Sequence, residues 1–112
     1  MIAVLWEFQV QRGRERKFER IYGPSGDWAR LFRRARGYQG TQLLRDPDRK
    51  GRYVTVDLWT SEAAFHNFKT RFAAPYHDLD KECESLTRHE TKLGSFRALQ
   101  QGSEVASTKN RK

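Results

Sequence analysis

From Arg52 to Trp59 the chain alternates Tyr53, Thr55, Asp57 and Trp59 with Val54, Val56 and Leu58, so a strand here carries bulk on both faces. Such a strand needs a packed layer on each side, which the chain must either supply or recruit. A second run has the same period of two: Ile2, Val4, Trp6, Phe8 and Val10 alternate with Ala3, Leu5, Glu7 and Gln9, which puts the larger residues on one face. Gln39 to Asp46 reads as a further strand. The segment Asp46-Pro47-Asp48-Arg49-Lys50-Gly51 joins it to Arg52–Trp59 with turn-forming residues throughout, which predicts a hairpin.

The intervening segments change period from two to 3.6. Arg14 to Tyr22 places Phe18, Ile21 and Tyr22 on one helical face, and Gly23-Pro24-Ser25-Gly26 then interrupts the helix. Asp27 is expected to cap the next helix, whose stripe of Trp28, Leu31, Phe32 and Ala35 lies opposite Arg30, Arg33, Arg34 and Arg36 and ends at Gly37. Thr60 and Ser61 are positioned to cap a helix carrying Phe65, Phe68 and Phe72, with a break expected at Pro75. Tyr76, Leu79, Cys83 and Leu86 continue as a helical stripe. Thr87 to Leu99 returns to an extended pattern, with Gly94 marking a bulge or a close contact.

The order strand, helix, strand, strand, helix, strand predicts a ferredoxin-like split βαββαβ domain of the α+β class over residues 1–99, with helices on one face of a four-stranded antiparallel sheet. The opposite face still presents apolar side chains. A homodimer packed sheet against sheet, a dimeric α+β barrel, is the expected solution.

A chain of 112 residues supports one core of this kind. Its 22 Lys and Arg outnumber 14 Asp and Glu, but the excess is local: Arg12 to Arg36 holds nine basic residues against three acidic ones. Residues 100–112 read as a disordered basic tail. A basic stripe opposite a core stripe is ordinarily a solvated face. An RNA-recognition platform would need stacking aromatics where Arg52, Val54 and Asp57 stand, so specific nucleic-acid binding is not expected. Cys83 is the single cysteine, there is no apolar stretch of membrane-spanning length, and Met1 to Val10 does not read as a secretory leader, so the expected setting is cytoplasmic. His66, His77 and His89 are widely spaced with no HExxH or Cys-His set, and although Asp78 and Asp80 lie near His77, His77 and Asp78 point in different directions on a helix, so no metal is expected.

Over Met1 to Leu99 the chain resembles the antibiotic biosynthesis monooxygenase-like family of dimeric α+β barrel proteins. The likeness rests on the opening strand, on Gly37-Tyr38-Gln39-Gly40-Thr41 leading into Leu43-Leu44, and on Tyr53 to Trp59 followed by Thr60-Ser61-Glu62-Ala63-Ala64-Phe65. The resemblance implies a homodimer with a pocket in each subunit between sheet and helices. It also implies oxygenation of a planar aromatic, polyketide- or quinone-like molecule by O2 with no bound cofactor. A related branch degrades haem with an Asn on the first strand, an Asn-Trp pair on the second helix and a later His. Here Asn67-Phe68 stands in the pair's place, His77 lies near the His position, and Glu7 or its neighbours replace the first Asn, so haem degradation is the weaker expectation.

For a cofactor-free oxygenase the demanding steps are deprotonating a phenol and stabilising the anion until oxygen reacts. His77, with an ordinary pKa of about 6.5, is the expected base; Arg88 is the expected oxyanion partner and Asn67 the group that orients a carbonyl. Trp6, Trp59, Phe68 and Tyr76 are expected to line the substrate cleft. Phe65 and Phe72 are read as core. A non-enzymatic dimeric binding or regulatory module of the same fold is the alternative.

Overall fold

The alternation of Ile2–Val10 and of Arg52–Trp59 produces the two central strands. In the computed structural model, which describes residues 1–99, β1 (Ile2–Val10) pairs antiparallel with both β3 (Arg52–Trp59) and β4 (Thr87–Arg97). β2 (Tyr38–Arg45) adds to the far side of β3, giving the sheet order β2-β3-β1-β4. This is the ferredoxin-like arrangement the element order predicts. The proposed tail, residues 100–112, lies outside the described residues.

Register aligns the large side chains. Val4 stands opposite Asp57, Trp6 opposite Thr55 and Phe8 opposite Tyr53, so the central strands gather their large aromatic side chains on one inner face. Four helices cover it: α1 (Glu15–Tyr22), α2 (Asp27–Phe32), α3 (Glu62–Arg71) and α4 (Ala73–Cys83), followed by one 3-10 turn at Glu84–Leu86. Phe18 and Tyr22 stack at 4.1 Å, and Phe8 meets Tyr22 edge-on at 5.0 Å. Farther along, Phe32, Tyr38, Phe65 and Phe68 surround the indole of Trp59. The core is therefore a continuous field of edge-to-face, tilted and stacked rings.

Local details differ from expectation in three places. Asp27 is the first residue of α2, not its cap: Gly26 is the N-cap, and the Asp27 carboxylate instead accepts from the Arg30 guanidinium at 3.2 Å. Arg30 also donates to the Ser25 carbonyl and Arg33 to the Pro24 carbonyl, so part of the basic stripe ties down the loop between α1 and α2. The break between α3 and α4 falls at Phe72, not at Pro75. Pro75 sits in the first turn of α4, where a missing N–H costs no helical hydrogen bond. Ser61 caps α3 as expected, its hydroxyl accepting from the Ala64 amide.

The outer face of the sheet has no layer of its own within the chain. Ala3, Leu5, Val54, Val56 and Leu58 are half-buried there, while Leu44 and Phe96 are 49% and 52% exposed. Near its hairpin end, Arg52 bridges Glu7 at 2.5 Å and Asp46 at 2.9 Å. Gly94 adjoins a register shift in the β1–β4 ladder, in keeping with its reading as a bulge position.

Candidate functional site

Between the inner face and the helices lies a cavity of about 60 Å³ that opens to solvent. Trp6, Phe8, Trp28, Phe32 and Tyr76 form its apolar walls, with Tyr22 and Thr55 beside them. Three carboxylates also line it: Asp57 from β3, Asp80 from α4 and Glu90 from β4. None of the lining residues is cationic.

Asp57 reaches this position through the pleat of β3, which sends Tyr53, Thr55, Asp57 and Trp59 to the same side. Its Oδ1 accepts a hydrogen bond from the Thr41 hydroxyl at 2.7 Å, and Thr41 Oγ1 lies 2.6 Å from the Tyr38 hydroxyl. Since Thr41 spends its one proton on Asp57, Tyr38 must donate to Thr41, and the three residues form a directed chain. Burial raises the Asp57 carboxyl to about 6, with the Thr41 hydrogen bond pulling the other way. Glu90 is also raised, by burial and then by the neighbouring Asp80 and Glu84 carboxylates. Tyr76 is raised by burial and then by Asp80, Glu90 and Asp57, so it stays neutral at ordinary pH.

The residues expected to share one site are dispersed. Trp6 and Tyr76 line the cavity. Trp59 and Phe68 are packed into the core, at 0% and 1% exposure. Phe65 and Phe72, expected in the core, are only half-buried; Lys69 and Lys92 lie over the Phe65 ring and Arg34 over Phe72. Asn67 is exposed and lines a separate open depression with Phe68, Ala64, Arg71 and Gly37. His77 is exposed, its ring edge-on to Tyr76. Arg88 is the extra residue between the Gln9–His89 and Val10–Thr87 pairs, so a bulge carries its exposed side chain away from the cavity walls. Among the described residues no group of three or more His, Cys, Asp or Glu side chains is arranged to hold a metal ion.

The sequence points to neither Asp57 nor Glu90 as a site residue, and to Asp80 only as a weak candidate metal ligand with His77, although a signal for Asp57 is present. Asp57 occupies the same alternation class as Tyr53 and Trp59, and an acid on an aromatic strand face is a group without water. Asp80 lies one helical turn after Tyr76, a weaker signal, whereas Glu90 sits in the polar run Arg88-His89-Glu90-Thr91-Lys92 and has none.

Comparison with known proteins gives a consistent picture. Residues 1–73 match the family model described as antibiotic biosynthesis monooxygenase. No curated protein matches the chain. Among solved structures, SnoaB from Streptomyces nogalater, a cofactor-independent oxygenase, superposes with a TM-score of 0.74 at 23% identity over 92% of this chain and 97% of its own. MhuD from Mycobacterium tuberculosis, a haem degrader with two haems in its active site, superposes with a TM-score of 0.59 at 20% identity over 90% of this chain and 98% of its own. At these identities the structural likenesses establish the fold.

Proposed function

Because the chain belongs to the antibiotic biosynthesis monooxygenase family, we propose that it is a cofactor-independent oxygenase that acts with O2 on a planar, hydroxylated aromatic molecule, as a homodimer in the cytoplasm. The observation that carries this reading is the cleft between sheet and helices, walled by Trp6, Phe8, Trp28, Phe32 and Tyr76 and containing ionisable groups. Flat apolar walls favour a flat apolar ligand and exclude water, and a phenolate held there keeps its reactivity toward oxygen. SnoaB, a cofactor-independent oxygenase of the same fold, lends support.

At about 60 Å³ the cavity holds no more than a few water molecules, so a ligand of two or more rings enters as side chains at the mouth turn outward. The half-buried Trp6 and Tyr76 are the residues placed to do so. Asn67, His77 and Arg88 lie outside this cleft and have no part in the proposed reaction. The lining also argues against haem as the substrate. Asp57, Asp80 and Glu90 would repel its two propionates, and no imidazole lines the cleft to reach its iron.

A thermal-shift titration of the full chain with a dihydroxynaphthalene tests the reading. A ligand selective for the native state adds about 2.7 kcal/mol at a hundredfold excess over Kd, so Tm should rise with concentration, and Trp6→Ala should weaken the response. An unchanged Tm up to the solubility limit would overturn it.

A further inference from the structure

We propose that Asp57 is the general base of this site, held in place by the directed chain from Tyr38 through Thr41; the assignment rests on the oxygenase reading and goes beyond it by naming the group that takes the proton. Geometry separates Asp57 from the other two carboxylates. It stands on a central strand, opposite Val4 of β1 and Thr41 of β2, and one of its oxygens is fixed by the 2.7 Å bond from Thr41. Among the described residues it has no ion pair and no second hydrogen bond, which leaves its other oxygen open to a ligand. Glu90 is exposed on edge strand β4 and Asp80 is half-buried on α4. Neither has a hydrogen bond to orient it among the described residues.

Other acids of the chain contrast with Asp57. Glu7 and Asp46 are held by Arg52, Glu19 by Arg45 and Tyr53, and Asp27 by Arg30. A carboxylate braced by a guanidinium is a poor base, whereas one braced only by a hydroxyl keeps its proton affinity. The ionisable groups facing the cleft around Asp57 are Tyr22 from α1, Tyr76 and Asp80 from α4, and Glu90 from β4, with Tyr38 of β2 behind Thr41. Both cleft tyrosines are raised by burial and stay neutral, while Asp57 and Glu90 are raised by burial as well.

The reaction balances without an external reductant. Asp57 takes the phenolic proton; the phenolate passes one electron to O2, and the resulting radical pair joins through a ring carbon to form a C–O bond and a peroxide anion. Protonated Asp57 returns its proton to the terminal oxygen. The same carboxylate then removes the ring C–H proton as the O–O bond breaks, and the departing hydroxide takes that proton to leave as water. Phenol and O2 have become a quinone and water, with O2 the sole oxidant.

Oxygen uptake by the full chain with a dihydroxynaphthalene, measured across pH, tests the assignment alongside thermal-shift binding of the same compound. The rate should rise with pH through a limb near the Asp57 value of about 6. Asp57→Asn keeps the acceptor for Thr41 and should still bind, yet lose about a hundredfold or more in kcat. Thr41→Val should move the limb to higher pH and recover its rate above it, whereas Glu90→Gln should leave the limb in place. An Asp57→Asn rate within threefold of the unaltered chain, or a limb that follows Glu90→Gln, would overturn Asp57 as the base while leaving the oxygenase reading intact. Binding without any oxygen uptake by the unaltered chain would overturn the oxygenase reading and the assignment with it.

Discussion

At the scale of single residues, the site is one that the fold must carry at a cost. Asp57 titrates near 6 in the folded chain and near 3.8 as a free side chain. The unfolded chain therefore ionises first, and stability falls as pH rises from below 4 through about 6. The penalty is complete above that window. Asp57→Asn should thus stabilise the protein at pH 8 by up to about 3 kcal/mol, with the gain vanishing near pH 3, as thermal or urea unfolding at the two pH values will reveal. A loss of function paired with a gain of stability is the expected signature of a group retained for chemistry. Side-chain depth was the part of the site least legible in the sequence. Helical spacing correctly aligned Phe65, Phe68 and Phe72, but it did not specify that only Phe68 would be fully buried, because that depends on where Trp59 and Phe32 arrive from distant segments. His77 shows the same limit. It is next to Tyr76 in sequence, but the helical rotation of about 100° per residue takes it out of the cleft that Tyr76 lines.

At the scale of elements, periodicity was a sound guide to what each segment becomes, while junctions followed from backbone sterics that composition does not expose. The four strands and the helical faces follow from alternation and 3.6-residue spacing. The turn between α1 and α2 depends on a close approach: a β-carbon on Gly26 would lie 2.3 Å from the carbonyl oxygens of both Arg20 and Ile21. Those atoms are backbone and cannot turn aside. Gly26→Ala should therefore destabilise the chain by about 1–3 kcal/mol in denaturant unfolding, although its φ of −86° suits alanine. The β1–β4 ladder was legible in part, through Gly94, but nothing in the sequence marked the second bulge that turns Arg88 aside.

At the scale of the whole molecule, the chain folds one layer of helices against a sheet whose other face remains apolar. Val54, Val56 and Leu58 on β3, with Leu5 on β1, Leu44 on β2 and Phe96 on β4, span all four strands of that face. A second copy, sheet against sheet, is the proposed cover. Val56→Lys places a charge at its centre without touching the cleft side, and light scattering should report a dimer for the unaltered chain and a monomer for the variant. A monomer in both would refute the dimer. The fold and the unpaired face were both readable from the two-sided bulk of β3, whereas the acidic lining of the cleft required α4 and β4 to converge on Asp57 in three dimensions. The central claim, that this cleft joins an aromatic molecule to O2 with no resident cofactor, is tested most directly by an oxygen electrode. Chelator-treated protein with a dihydroxynaphthalene should consume one O2 for each quinone formed, at a rate proportional to protein concentration. Binding with no consumption above the protein-free rate would contradict the account and leave a small-molecule-binding module of the same fold.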